Sequence, residues 1–287
     1  MISIIISSKT SLLLQQLSEN IKETIGVDFE IISIANPDGR IGICEAYNEG
    51  AREAQYSILC FCHEDILFHT QNWGLLLISH LKERDVSLVG ILGNTIKTKI
   101  PSGVYSSVQT TNRINQLQRL KDNSTEHYLT NPLNEIVSEV AVLDGMFLAT
   151  IKHYWQKQPF DEQLVDGFHG YDIDFSLSMG KLGKVIVVYD ILIEHFSFGG
   201  NTADWLKSQF ALVKKWESQL PIQTKDVNKN TLNKREIDDL TQITLSILKL
   251  KWNKIYAIKY SFLLLTKAPL RRINLSILKQ LIITCVE

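Results

Sequence analysis

Apolar and polar positions in the first ninety residues switch repeatedly between two periods. Residues 2–6, apolar but for Ser3, form a run of the kind that fills a strand buried on both faces of a parallel sheet. Leu12, Leu13, Leu17 and Ile21 then recur at helical spacing, with Thr10 or Ser11 placed to cap the start and Gly26 the end. The exchange continues: 29–35 reads as a strand closed by the turn Asn36-Pro37-Asp38-Gly39, 43–54 as a helix, and 57–62 as a strand. Residues 73–82 read as a helix and 86–92 as a strand. Strands and helices in strict alternation predict a doubly wound α/β sheet.

From 95 to about 138 the pattern fades into polar, turn-rich sequence with one short helical pattern near 114–120. A connection this long in a compact domain is usually a functional loop or lid, or is partly disordered. Order returns with a strand over 140–149, a helix over 171–182, a strand over 184–189 and an amphipathic helix over 202–217. Residues 240–286 differ in kind. They hold eight lysines and arginines and no acidic residue, interleaved with Trp252, Tyr256, Tyr260, Phe262 and many leucines and isoleucines. A basic amphipathic helix pair of this composition fits a membrane-surface anchor. It equally fits a helical hairpin packed on the main domain or on a second subunit.

Composition adds constraints. At 287 residues the chain has room for one large α/β domain and an appendage, divided here as 1–220 and 221–287. A net charge of −1, from 30 basic and 31 acidic residues, argues against a dedicated nucleic-acid binder. Cys44, Cys60, Cys62 and Cys285 make neither a zinc-ligand nor a disulfide framework, and Cys60 and Cys62 share one face of a strand. The N-terminus lacks a basic n-region, and no stretch has the roughly 18 uncharged apolar residues of a membrane span. The expected setting is the reducing cytoplasm.

Ligands of open α/β sheets bind outside the carboxyl ends of the strands. The strand at 57–62 runs into His63-Glu64-Asp65, where alternation aims His63 and Asp65 one way and Glu64 the other. Alone, this tripeptide is better read as a solvated strand end than as a metal site. A second cluster, Phe160-Asp161-Glu162 followed by Gly167 to Phe175, places Asp172 and Asp174 at the start of a helix, where the macrodipole favours anions. Either carboxylate is also an ordinary helix cap. His195 ends an apolar run ahead of Phe196-Ser197-Phe198-Gly199-Gly200.

The ordered set carries a resemblance that the single pieces do not. Glu45 to Gly50, His63-Glu64-Asp65, Asp144-Gly145, Phe160-Asp161-Glu162, Gly170 to Asp174, Glu194-His195, Trp205 and Lys215-Trp216 resemble the family 2 glycosyltransferases over roughly residues 1–220. The likeness is to a bacterial branch in which His-x-Asp replaces the usual Asp-x-Asp. It implies a GT-A fold, a Rossmann-like α/β architecture of nucleotide-diphospho-sugar transferases, with a C-terminal helical extension. Asp65 matches a ligand of the divalent ion, Mn²⁺ or Mg²⁺, that bridges the nucleotide diphosphate. His63 stands where an Asp is usual and is open to a metal or a ribose role, and His195 matches a position that completes the metal site. Asp172 matches the catalytic base. Ser7, Asp38, Asn48, Asp144 and Gly145 fall on the donor side, and Tyr171, Asp174 and Trp205 on the acceptor side.

The implied activity is metal-dependent, inverting transfer of a sugar from a UDP-linked donor to a glycan or glycolipid acceptor in surface polysaccharide synthesis. The basic segment 240–287 would suit an anionic membrane surface at the inner face, or a homodimer. A catalytically idle nucleotide-sugar-binding or assembly protein on the same fold is the first alternative, since fold alone does not guarantee activity. A metal hydrolase or nucleotidyltransferase using His63, Asp65 and His195 is the second.

Overall fold

The computed structural model describes residues 1–164, 167–197 and 199–286. β1 (Ile2–Ser8), α1 (Ser11–Thr24), β2 (Phe29–Ala35), α2 (Ile43–Glu53) and β3 (Ile58–Cys62) follow the expected alternation. Ile2, Ile4 and Ile6 enter one core cluster while Ile5 enters another, so both faces of β1 are covered. β3 divides the same way, with Cys60 and Cys62 on the first side and Leu59 and Phe61 on the second. β1 pairs in parallel with β2 and with β3, Ile2 standing opposite Phe29 and Ile58. The carboxyl ends of three strands therefore open on one edge, where the candidate residues sit.

β4 (Ile66–Phe68), α3 (Trp73–Lys82) and β5 (Val86–Gly90) come next. Segment 95–138 is largely sheet rather than loop. It is occupied by β6 (Leu92–Asn94) at its edge, then β7 (Ile96–Lys97), β8 (Asn112–Arg119), β9 (Thr125–Thr130) and β10 (Val137–Glu139). The helix expected near 114–120 is the strand β8. Ile114 and Leu117 are three apart and mimic a helical period, yet the polar residues beside them are the ones a sheet can bury. Asn115 Nδ2 donates to Tyr189 O at 2.8 Å, and Gln118 Nε2 donates to His195 O at 3.1 Å. The single strand expected over 140–149 is broken at Asp144-Gly145 into β11 (Val142–Leu143) and β12 (Phe147–Ile151).

The chain continues through α4 (Lys152–Lys157), α5 (Tyr171–Met179), β13 (Lys184–Val188), β14 (Ile193–His195), α6 (Ala203–Trp216) and β15 (Ile222–Gln223). Among the described residues the main sheet runs β10-β13-β5-β12-β3-β1-β2, and a second runs β11-β6-β8-β14-β4 with β9 on β8. β7 and β15 pair separately.

The expected C-terminal helix pair is three helices, α7 (Lys229–Lys249), α8 (Lys254–Lys267) and α9 (Ile273–Val286). Asn228 caps α7, its side-chain oxygen accepting from Thr231 N at 2.9 Å. Leu240, Ile243, Ile247, Ala257, Leu264 and Ile277 form a third core cluster, and Leu206 of α6 belongs to it. The polar side of α7 grips the segment after β7. Asp238 accepts from Ser106 Oγ at 2.8 Å and Ser107 N at 2.9 Å; Asp239 accepts from Thr98 Oγ1 at 2.5 Å and pairs with the fully buried Arg235 at 2.9 Å.

Candidate active site

Two pairings assemble the metal-capable residues. β3 ends at Cys62, and His63 N donates to Met146 O at 3.1 Å, which sets His63 beside the Asp144-Gly145 turn. β14 runs antiparallel to β4 with His195 opposite Ile66, and Phe196 N donates to Asp65 O at 3.0 Å. His195 thus lands next to Asp65 from 130 residues further along the chain. His63 Nδ1 lies 3.8 Å and His195 Nε2 lies 3.6 Å from Asp65 Oδ1. One ligand atom from each of the three lies within 4.8 Å of the others, and all three side chains are partly open to solvent. Two imidazoles and a carboxylate converging in this way fit a divalent cation. Glu64 turns away, as alternation requires. Its carboxylate accepts from Ser8 Oγ at 2.8 Å and from Lys9 N and Thr10 N, both at 3.1 Å, tying the end of β1 to the end of β3.

Electrostatics matches this geometry. Burial alone would raise the Asp65 pKa, but its hydrogen bond to His195 and the charges of both histidines hold it well below the usual carboxylate range. Burial would depress His195, and Asp65 reverses that, leaving the imidazole above its ordinary value. For His63, burial and the neighbouring His195 prevail and its pKa is lowered.

The tautomer of His63 follows from one hydroxyl. Tyr171 Oη lies 3.0 Å from Gly145 O and 2.8 Å from His63 Nε2. A carbonyl can only accept, so the single phenolic proton goes to Gly145 O, and His63 Nε2–H donates to the phenol oxygen. His63 Nδ1 is then left with a lone pair, and Nδ1 is the atom that faces Asp65. Gly145 is needed sterically: a Cβ there would stand 2.0 Å from Tyr171 Oη. Tyr171 is therefore buried behind His63 rather than exposed to an acceptor.

α5 begins after Gly170, whose φ of 83° is the left-handed conformation that glycine adopts without strain. Asp172 stands in its first turn, part-buried. Burial, followed by the Asp144 carboxylate, pushes its pKa up to about 7, while backbone amides at Ile173 and Gly145 oppose the rise. A carboxylate balanced near neutrality is suited to taking a proton. Asp174 takes a different part. Only 3% exposed, it accepts from Trp216 Nε1 at 2.7 Å and from Lys215 Nζ at 2.8 Å, and Lys215 also reaches Asp161 Oδ2 at 2.8 Å. Its carboxylate ties α5 to α6.

Asn48 is likewise bonded within the fold. It is buried on α2, with Nδ2 donating to Phe160 O and Glu162 Oε1 at 2.8 Å and Oδ1 accepting from Trp155 Nε1 at 3.0 Å. It holds the Phe160-Asp161-Glu162 segment in place. Ser7 and Asp38 do lie at the open edge, Asp38 exposed and paired with Arg40 at 2.8 Å. Trp205 is half-buried on α6, and a Cβ at Gly103 would lie 3.7 Å from its ring. Two sets of contacts escaped sequence reasoning. Glu194 is buried and takes Arg119 Nε at 2.7 Å and His69 Nε2 at 2.8 Å. Phe168 lies against Lys9, 4.2 Å from ring centre to Nζ, at the mouth of the edge. Phe198 lies outside the described residues, as does the Cys285 side chain.

The profile of the Glycosyltransferase like family matches residues 3–217. No curated protein matches the chain. Among solved structures, GalNAc-T7 with UDP, GalNAc and Mn²⁺ aligns at a TM-score of 0.53 and 12% identity, over 76% of this chain and 48% of its own. The chain thus spans about half the length of that relative. The mannosyltransferase PcManGT from Pyrobaculum calidifontis, in complex with GDP-Man and Mn²⁺, aligns at 0.53 and 13% identity, over 99% and 86%. Both likenesses speak for the fold, which is GT-A with C-terminal helices. With the family profile spanning most of its length, the chain belongs to the Glycosyltransferase like family.

Proposed function

We propose that the chain is a metal-dependent, inverting glycosyltransferase that moves a hexosyl group from a UDP-linked donor to a glycan or lipid-linked glycan acceptor in bacterial surface polysaccharide synthesis. The observation that carries this reading is the convergence of His63, Asp65 and His195 at the open strand edge. The two similar structures, solved with UDP, GalNAc and Mn²⁺ and with GDP-Man and Mn²⁺, support a nucleotide-sugar donor and a divalent ion. Two imidazole donors favour Mn²⁺ over Mg²⁺, which prefers oxygen ligands. Buried free thiols at Cys44, Cys60 and Cys62 suit a reducing cytoplasm.

His63, Asp65 and His195 would hold the ion, which when bound supplies positive charge opposite the departing diphosphate. The chain's own part is acid–base and positional. Asp172 accepts the proton of the acceptor hydroxyl as its oxygen bonds to the anomeric carbon, while the bond from that carbon to the diphosphate oxygen breaks. A single displacement of this kind inverts the anomeric centre. Asp144 and Gly145 line the donor side, and the half-buried Trp205 is available to an acceptor ring.

Calorimetric titration of UDP, GDP and their common sugars, with and without Mn²⁺, tests the reading on wild type and Asp65→Asn. Metal-dependent binding of one nucleotide, lost in the variant, is the expected result. Absence of binding under every metal condition would overturn it. Donor binding without turnover over a wide acceptor panel would turn the assignment toward an idle binding protein.

A further inference from the structure

The last 47 residues before Glu287 carry charge of one sign, eight basic and no acidic, in a chain whose total is −1. The helices there are apolar on two sides. Inward, Ala257, Tyr260 and Leu264 of α8 and Ile277 of α9 are buried in the third core cluster. Outward, α8 exposes Ile255, Ile258 and Phe262 at 76%, 51% and 68%, spaced as one helical stripe. α9 repeats the spacing with Leu275, Leu278 and Ile282 at 76%, 38% and 65%. A helix that is apolar all round is normally buried, so this outer surface calls for a cover.

The charges say what kind. Lys254, Lys259, Arg272 and Lys279 are exposed beside these stripes, whereas Lys267 reaches Glu236 and Arg271 reaches Thr241 within the molecule. An isologous contact with a second copy would press these like charges together as their surroundings lose water. A sheet of anionic headgroups over an acyl layer matches both the charge and the apolar stripes. Among the described residues no helix is long and apolar enough to cross a membrane, so contact would be with the surface. We propose that α8 and α9 form a face that docks on an anionic lipid bilayer. α6 joins this face to the active site. Phe210 stacks on Trp252 at 5.2 Å, and about one and a half turns on, Lys215 and Trp216 hold Asp174.

The proposal goes beyond sugar transfer and does not depend on it. Flotation of the full chain with vesicles of equal phosphatidylglycerol and phosphatidylcholine, against vesicles of phosphatidylcholine alone, tests it. Binding to the anionic vesicles only, weakening as salt rises, is expected. Lys254→Gln with Lys259→Gln should weaken partitioning about fivefold per charge. Ile258→Ser with Phe262→Ser should weaken it at least about tenfold. Leu275→Ser repeats the apolar test on the other helix if the double variant misfolds. Failure to float with anionic vesicles, or flotation unchanged in the variants, would overturn the proposal. So would a dimer in ultracentrifugation that Phe262→Ser abolishes, which would give the face to a second copy. Nucleotide titration of the same variants reads the transferase separately and should not change.

Discussion

Tyr171 donates to Gly145 O and accepts from His63 Nε2, so a single oxygen orients a ring whose other nitrogen faces the metal-capable cluster. Tyr171→Phe keeps the aromatic packing on Tyr47 and Phe160 but leaves His63 Nε2–H without its partner. Groups that orient a metal-binding histidine typically govern affinity by 10–100-fold. Titration of Mn²⁺ alone into the variant should show a loss of about that size, with only about 1 kcal/mol of stability lost. Unchanged affinity would mean that His63 needs no orientation or does not bind the ion. Asp172 gives a pH prediction. Its folded pKa of about 7 lies above the ordinary value of about 3.8, so the folded chain holds a proton that the unfolded chain releases between those pH values. The metal-free protein should therefore lose stability as pH rises from about 4 to about 7, and Asp172→Asn should remove that slope in thermal melts. The unprotonated form accepts the acceptor's proton, so kcat/KM should rise through pH ~7. A rate limb far from neutrality would remove Asp172 from that role.

At the scale of elements, α7 is fastened to the segment after β7 by buried charge. Asp239→Ala would leave Arg235, fully buried, without its carboxylate, at a cost of about 3–5 kcal/mol. Asp238→Ala removes the acceptor of Ser106 and Ser107 at a smaller cost, about 1–3 kcal/mol. Urea melts rank the two, and equal midpoints would refute the distinction. These contacts also show where sequence reading stops. The alternation of β1, α1, β2, α2 and β3 is legible because each element buries its own periodic apolar face. The turn of His63 and Asp65 to one side, with Glu64 to the other, is legible for the same reason. β8 is not, because its burial is bought by hydrogen bonds from Asn115 and Gln118 to carbonyls more than 70 residues away. The locking parts played by Asn48 and Asp174 are hidden equally. Their partners lie 107–114 and 41–42 residues off, and only folding brings them together.

For the whole molecule, the family profile ends at residue 217, but the packing does not. Leu206 of α6 sits in the same core cluster as Leu240, Ile247 and Leu264, and Phe210 packs its ring on Trp252, Tyr256 and Tyr260. The opposite end of α6 carries Lys215 and Trp216, which close on Asp174 at the start of α5, beside Asp172. Asn201, in the segment between His195 and α6, bonds Ser246 of α7 at 2.7 Å. Removing residues 221–287 would therefore expose one apolar side of α6 and unpair Thr98, Ser106 and Ser107 from their carboxylates. Each large apolar side chain returned to water forfeits about 1.5–3 kcal/mol, and a domain has only about 5–15 kcal/mol in hand. A chain cut after Leu220 should melt well below the full chain, or not fold cooperatively, and should bind donor nucleotide weakly if at all. Calorimetric melting of both forms, followed by UDP titration with Mn²⁺, checks this. Equal melting temperatures and equal affinity in the short form would show that residues 1–220 are a complete unit and that the helices are an attachment.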